Sequence, residues 1–131
     1  MKGILLVSAF FIAFLSACGG NQPLYADNGN PGRIKAVFFY DDNHNGQMDG
    51  GESVLQAQQI AGISQEVSCP PSGTPIYQDS NANGVIEFDN LKPGKYCLAL
   101  NNGFLPTTRM DQEVYVSSDQ VTAVYFGIAR P

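Results

Sequence analysis

The sequence contains no tryptophan and a single histidine, and only seven of its 131 residues are Lys or Arg, against twelve Asp or Glu. With so few cations the chain has no basic stripe that could neutralise a phosphate backbone, so nucleic acid is not an expected partner. The one histidine, His44, lies in an acidic segment, and the lack of tryptophan argues against a sugar-binding cleft. We therefore expect no enzyme. At this length the chain is expected to form one domain.

The longest apolar run lies at the start of the chain. Residues 4–17 are almost continuously apolar, but they are too few to cross a hydrocarbon core of ~30 Å, which takes about 20 residues. The run ends in Leu-Ser-Ala-Cys at residues 15–18, which resembles the bacterial lipobox, where the cysteine is joined to diacylglycerol. The sequence thus predicts a lipoprotein signal peptide over residues 1–17 and a membrane anchor at Cys18, outside the cytoplasm. An uncleaved anchor helix is the alternative.

The remaining chain divides into a spacer and a folded unit. Residues 18–32, rich in Gly, Asn and Pro, predict the lipidated cysteine followed by a flexible linker. From residue 33 to residue 131, short extended segments alternate with turn clusters. The predicted strands cover residues 33–40, 60–69, 74–78, 84–88, 95–100, 112–116 and 121–128. About seven strands at this spacing predict an all-β fold, an Ig-like sandwich.

The most specific motif follows the first predicted strand. Residues 41–52, DDNHNGQMDGGE, match the calcium-loop pattern D-x-[DN]-x-[DN]-G-x5-E without a mismatch. Gly46 permits the sharp reversal, and oxygen atoms at fixed spacing can reach one Ca²⁺. The predicted ligands are Asp41, Asn43, Asn45, the carbonyl of Gln47, Asp49 and Glu52. A polar turn loop without an ion is the alternative.

A second near-match occurs at residues 79–84, DSNANG. Prolines on both sides exclude flanking helices, so a paired helix-loop-helix arrangement is not expected. Asn90 stands where the bidentate Glu is required, and we interpret the segment as a hairpin turn. If it held a weak second ion, the ligands would come from Asp79, Asn81, Asn83, Glu87 and Asp89.

The order of these motifs carries a family resemblance. An aromatic strand runs into the acidic loop, a second D-x-N-x-N-G turn follows, and then come FDNLKPGKY at residues 88–96 and VYFGI at residues 124–128. This order resembles the B-type domain of serine-aspartate-repeat surface proteins, related to collagen-adhesin B-type and prealbumin-like modules. The resemblance implies a prealbumin-like sandwich with calcium in the loop after the first strand, acting as a stiffened spacer on a bacterial surface. A single module and a lipid anchor depart from that pattern, so a stalk of many modules is not expected.

The cysteines give a further expectation. With Cys18 assigned to the lipid, Cys69 and Cys97 remain as an even pair in an oxidising compartment, which predicts a disulfide. Two buried thiols are the alternative.

Three functions stay open at this point. The first is a calcium-stabilised, lipid-anchored structural module of the cell envelope or surface. The second is recognition of a surface protein or carbohydrate through aromatic side chains expected to be exposed, namely Phe39, Tyr77, Phe104 and Tyr115. The third is an accessory subunit of an envelope complex.

Overall fold

The computed structural model describes residues 25–65 and 68–131, so the predicted signal peptide and Cys18 lie outside the described residues. The described chain forms seven strands: β1 (Gly32–Tyr40), β2 (Ala61–Ser64), β3 (Ile76–Gln78), β4 (Val85–Leu91), β5 (Gly94–Leu100), β6 (Asp111–Val116) and β7 (Val121–Ile128). In this part of the chain, no helix has the length and apolar character needed to cross a membrane.

The strands form two sheets. One has three strands in the order β4-β1-β7, and the other has four in the order β3-β2-β5-β6. The central strand β1 runs antiparallel to β4 but parallel to β7, whereas the pairs in the second sheet are all antiparallel. The predicted all-β, seven-stranded sandwich is therefore confirmed.

The core lies between the sheets and is built on the alternation of β1. Ile34, Ala36 and Phe38 are completely buried, as their spacing of two predicts, and the Phe38 ring stacks on Phe126 with centroids 5.4 Å apart. Phe39, on the opposite face, is also fully buried, so its predicted exposure is wrong. The chain returns beside β1 and forms an antiparallel bridge from Val54 to Phe39, which covers this end of the strand.

Strand β2 is shorter than predicted and ends at Ser64 instead of residue 69. Ser64 lies opposite Cys97 in the ladder, and Cys97 is itself joined to Cys69 by a disulfide with Cα atoms 5.3 Å apart. Five further extended residues would carry the chain roughly 16 Å along the strand. A strand that continued to residue 69 is therefore incompatible with the bond from Cys69 to Cys97.

The ordered contacts begin earlier than residue 33. The backbone N–H of Ala26 donates to the Ser117 hydroxyl at 3.1 Å, and that of Asn28 donates to the Ser118 hydroxyl at 3.0 Å. The Asn28 side-chain amide reaches a carboxylate oxygen of Asp119 at 3.0 Å. Residues 25–31, which the composition assigns to a flexible linker, are thus attached to the loop before β7, because their amides and backbone groups find partners there.

Candidate metal site

The acidic loop connects β1 to a segment that returns beside the same strand. The Tyr40 N–H donates to the carbonyl of Ser53 at 2.8 Å, and the Leu55 N–H donates to the carbonyl of Phe38 at 2.9 Å. Residues 41–52 are therefore closed at their base by a short antiparallel ladder. No helix borders the loop in the ranges that the structure describes, which agrees with the exclusion of a helix-loop-helix arrangement.

Asp41, the first predicted ligand, is completely buried at the start of the loop. Its two carboxylate oxygens accept the backbone N–H groups of Asn45 at 3.0 Å and of Gly46 at 2.8 Å. Gly46 has φ +75°, a left-handed conformation that glycine adopts without a Cβ clash and that lets the loop fold back over the carboxylate.

The pKa of Asp41 reflects these contacts. Burial acts to raise the pKa, but the backbone N–H groups of Gly46 and Asn45 act to lower it, and the net direction is downward. The carboxylate is thus held in its charged form inside the loop, the form in which it can bind a cation.

A second carboxylate draws two amide ligands together. One oxygen of Asp49 accepts the side-chain N–H groups of Asn43 at 2.8 Å and of Asn45 at 2.6 Å. The Asn45 side-chain oxygen in turn accepts the backbone N–H of Gln47 at 2.7 Å. These bonds link four of the six predicted ligand residues, and the bonds of Asn45 to Asp41 and of Asp49 to Glu52 join the other two to them.

Glu52 closes the loop from its far end. Its carboxylate accepts the backbone N–H of Asp42 at 3.0 Å and that of Asp49 at 2.9 Å. The predicted donors are all oxygen atoms, a set that suits a hard cation such as Ca²⁺ better than a soft metal. Among the described residues, however, no three His, Cys, Asp or Glu side chains converge into a group that could hold a metal ion. The carboxylates instead accept N–H groups of the loop.

The second predicted set of ligands is not brought together. Asp79 accepts the N–H of Gln59 at 2.8 Å, and the Asn81 side chain accepts two backbone N–H groups of its own turn. Glu87 and Asp89 lie on β4, where Asp89 pairs with Arg33 at 3.4 Å. Residues 79–84 form the predicted turn into β4, and the candidates for a second ion are dispersed because the strand carries two of them away.

Three residues to which the sequence analysis gave no role in the loop contact it from later in the chain, namely Thr107, Gly127 and Arg130. A Cβ on Gly127 would lie 3.1 Å from an Asp41 carboxylate oxygen and 2.4 Å from the Thr107 hydroxyl oxygen, so glycine allows both side chains to pack against β7. Arg130 contacts Asp42. The parallel pairing of β1 with β7 brings Gly127 and Arg130 to the loop, and Thr107 reaches it because its N–H donates to the carbonyl of Gly127 at 2.8 Å.

Comparison with known proteins supports the fold. Among solved structures, the chain is similar to GBS52, the minor pilin of the gram-positive pathogen Streptococcus agalactiae, with a TM-score of 0.53 and 12% identity. The match covers 78% of this chain and 45% of that chain. At this identity the likeness establishes the fold alone. In sequence comparisons, no family model and no curated protein matches the chain.

Proposed function

We propose that the protein is a calcium-stabilised, lipid-anchored structural module of a bacterial cell envelope or surface. The observation that carries the proposal is the loop at residues 41–52, which matches the calcium pattern at every position and closes beside the central strand β1. The fold likeness to a minor pilin supports a structural role at a surface. No catalytic role is assigned to any residue.

The predicted ligands supply the oxygen donors that the calcium pattern requires, and binding would draw their carboxylates together around the ion. The calcium pattern makes Asp41 the first ligand, and two backbone N–H groups fix the carboxylate of Asp41 at the start of the loop. Asp49 would exchange the amide groups of Asn43 and Asn45 for the cation. Bound Ca²⁺ would supply the positive charge that offsets repulsion among the loop carboxylates. It would thereby tie the end of β1 to the segment that returns beside it.

The anchoring part of the proposal rests on the lipobox at residues 15–18 and on the attached segment that begins at Tyr25. Tyr25 stacks on Tyr115 with ring centroids 6.4 Å apart, which fixes where the chain enters the domain. Only six residues separate Cys18 from Tyr25, and fully extended they and their flanking bonds span about 25 Å at most. A lipid at Cys18 would therefore hold the domain close to the membrane surface.

The test is the midpoint of thermal unfolding, Tm, of the full chain in detergent with 10 mM Ca²⁺ and with chelator. A ligand that binds only the folded state stabilises it by mass action. Extracellular calcium modules often have dissociation constants of about 10⁻⁴ to 10⁻³ M, for which about 10 mM Ca²⁺ adds roughly 1.4 to 2.7 kcal/mol. We expect Ca²⁺ to raise Tm by about 6 to 20 °C.

Two matched variants decide where the cation binds. Glu52→Gln removes one loop carboxylate and should abolish most of the calcium-dependent shift. Glu87→Gln removes one exposed carboxylate of β4 and should leave the shift unchanged. An identical Tm in calcium and chelator would refute calcium stabilisation. If both variants lost the calcium-dependent shift in Tm equally, the cation would bind outside residues 41–52.

A further inference from the structure

Arg130 lies two residues beyond the end of β7, and its side chain contacts the acidic loop at both the start and the end of the loop. Its Nε donates to one carboxylate oxygen of Asp42 at 2.7 Å, and one terminal nitrogen reaches the other oxygen at 3.3 Å. The same terminal nitrogen donates to the Ser53 hydroxyl at 2.9 Å. Asp42 is the second residue of the loop and Ser53 directly follows its last residue, so one side chain joins the entrance to the exit.

Two further contacts fix this arrangement. The guanidinium lies over the Tyr40 ring, with 4.2 Å from its central carbon to the ring centroid, which restrains the arginine through a cation–π interaction. On the loop side, the backbone N–H of Asp42 donates to Glu52 at 3.0 Å. Arg130 thus holds the residue whose backbone positions the twelfth ligand of the calcium pattern.

We propose that Arg130 is a positioning residue that keeps residues 41–52 closed before any cation binds. The part of this inference that concerns calcium affinity rests on the proposed function above. The part that concerns the closed loop stands on the contacts to Asp42, Ser53 and Tyr40 alone.

The charge of Arg130 and its contacts with the loop have opposite effects on calcium binding, so variants of Arg130 can distinguish between them. A guanidinium near the loop repels a cation, so removing its charge should strengthen Ca²⁺ binding if charge were the dominant effect. Removing a group that positions a metal ligand typically weakens binding by about 10- to 100-fold. Lysine keeps the charge but lacks the planar fork that reaches Asp42 and Ser53 together.

The first measurement is amide hydrogen exchange of residues 41–52 in the full chain with chelator. Arg130→Gln and Arg130→Lys should both speed exchange in this loop by about two- to fivefold, because the loop opens more often. Arg33→Gln is the control, since Arg33, near the start of β1, forms a comparable exposed ion pair with Asp89 on β4. It should leave exchange in the loop unchanged. Arg130 is exposed, so the variants are expected to fold, and Tm checks this.

The second measurement is Ca²⁺ affinity by titration calorimetry on the same variants. Both Arg130 variants should bind about tenfold more weakly than the unchanged chain and the Arg33→Gln control. Unchanged loop exchange, tighter calcium binding in Arg130→Gln, or full retention of both properties in Arg130→Lys would overturn the positioning role. If the unchanged chain binds no calcium while the Arg130 variants still speed exchange, the proposed function fails and the positioning of the loop stands.

Discussion

Replacing Gly127 by alanine tests how the acidic loop is seated on the sandwich. Gly127 lies on β7, and its φ is not positive, so alanine can adopt its backbone conformation. The added Cβ would lie 2.4 Å from the Thr107 hydroxyl oxygen and 3.1 Å from both the Cβ and a carboxylate oxygen of Asp41. We therefore expect Gly127→Ala to destabilise the protein through steric overlap at the base of the loop.

The change in the free energy of unfolding caused by Gly127→Ala is the balance of two opposing effects. Overpacking a well-packed site typically costs about 1 to 3 kcal/mol. Alanine is favoured over glycine inside a strand by roughly 0.5 to 1 kcal/mol, because glycine loses more conformational freedom on folding. The overlap with Thr107 is the larger effect, since contacts this short require a neighbour to move by about 1 Å. A net loss of about 1 to 2 kcal/mol should lower Tm by roughly 4 to 16 °C.

Adding a substitution at Thr107 to Gly127→Ala tests whether contact with the Thr107 hydroxyl causes the destabilisation. The Thr107 hydroxyl oxygen is buried and finds no hydrogen-bond partner among the described residues, so its removal should cost little. Thr107→Ala removes the clashing atom and should restore most of the stability of Gly127→Ala. Thr107→Val puts a methyl group in its place and should not. Calorimetry of the single and double variants measures these effects.

Two results would refute this account of the packing at Gly127. The first is a Gly127→Ala variant as stable as the unchanged chain, because the overlap with Thr107 would then be relieved at no cost. The second is equal rescue by Thr107→Ala and Thr107→Val, because the destabilisation would then not come from contact with the hydroxyl oxygen.

The remaining predictions concern the disulfide, acid stability and the anchor. Reduction of Cys69–Cys97, which closes a separation of 28 residues, should remove about 3 to 4 kcal/mol and lower Tm by more than about 10 °C in a scan with reductant. The hydrogen bond from Arg130 lowers the pKa of Asp42 in the folded protein. The contribution of the Asp42 carboxylate to stability is therefore present above the unfolded pKa of about 3.9 and is lost as the pH falls through the lower folded pKa. Asp42→Asn removes this contribution and should flatten the fall of Tm below about pH 5. Cys18→Ser should move the protein from the membrane fraction to the soluble fraction of bacterial cells, whereas Cys97→Ser should stay in the membrane fraction.

Much of the fold follows from local pattern. The strand at residues 33–40 was predictable because the segment is rich in β-branched and aromatic residues and places Ile34, Ala36 and Phe38 on one face at a spacing of two, and the structure places β1 at Gly32–Tyr40. β7 at Val121–Ile128 has the predicted bounds. The end of β2 was not predictable in the same way, because it depends on the bond from Cys69 to Cys97, which lies 28 positions later in the sequence.

The place of the loop after β1 was equally predictable, because the pattern at residues 41–52 is local and the hydrogen bonds within this segment join residues at most ten positions apart. Asn45 and Gly46 occur where a buried carboxylate at Asp41 needs backbone N–H donors, and such spacing is visible in a single sequence. Phe39 shows the limit of this reasoning. Its burial depends on the bridge to Val54, which only the path of the chain after the loop determines.

The residues that hold the loop from outside depend on one topological fact. β1 and β7 run parallel with Tyr40 paired to Ile128, so the residues that follow both strands emerge at the same end of the sheet. This register places Arg130 beside Asp42, although 88 positions separate them in the sequence. Hydrophobic alternation is the same for parallel and antiparallel neighbours at a sheet edge, and it therefore could not indicate this pairing. Had the parallel pair been assumed, the contact between a cation after β7 and an acidic residue after β1 would have followed from the sequence, because the two segments then leave the sheet side by side.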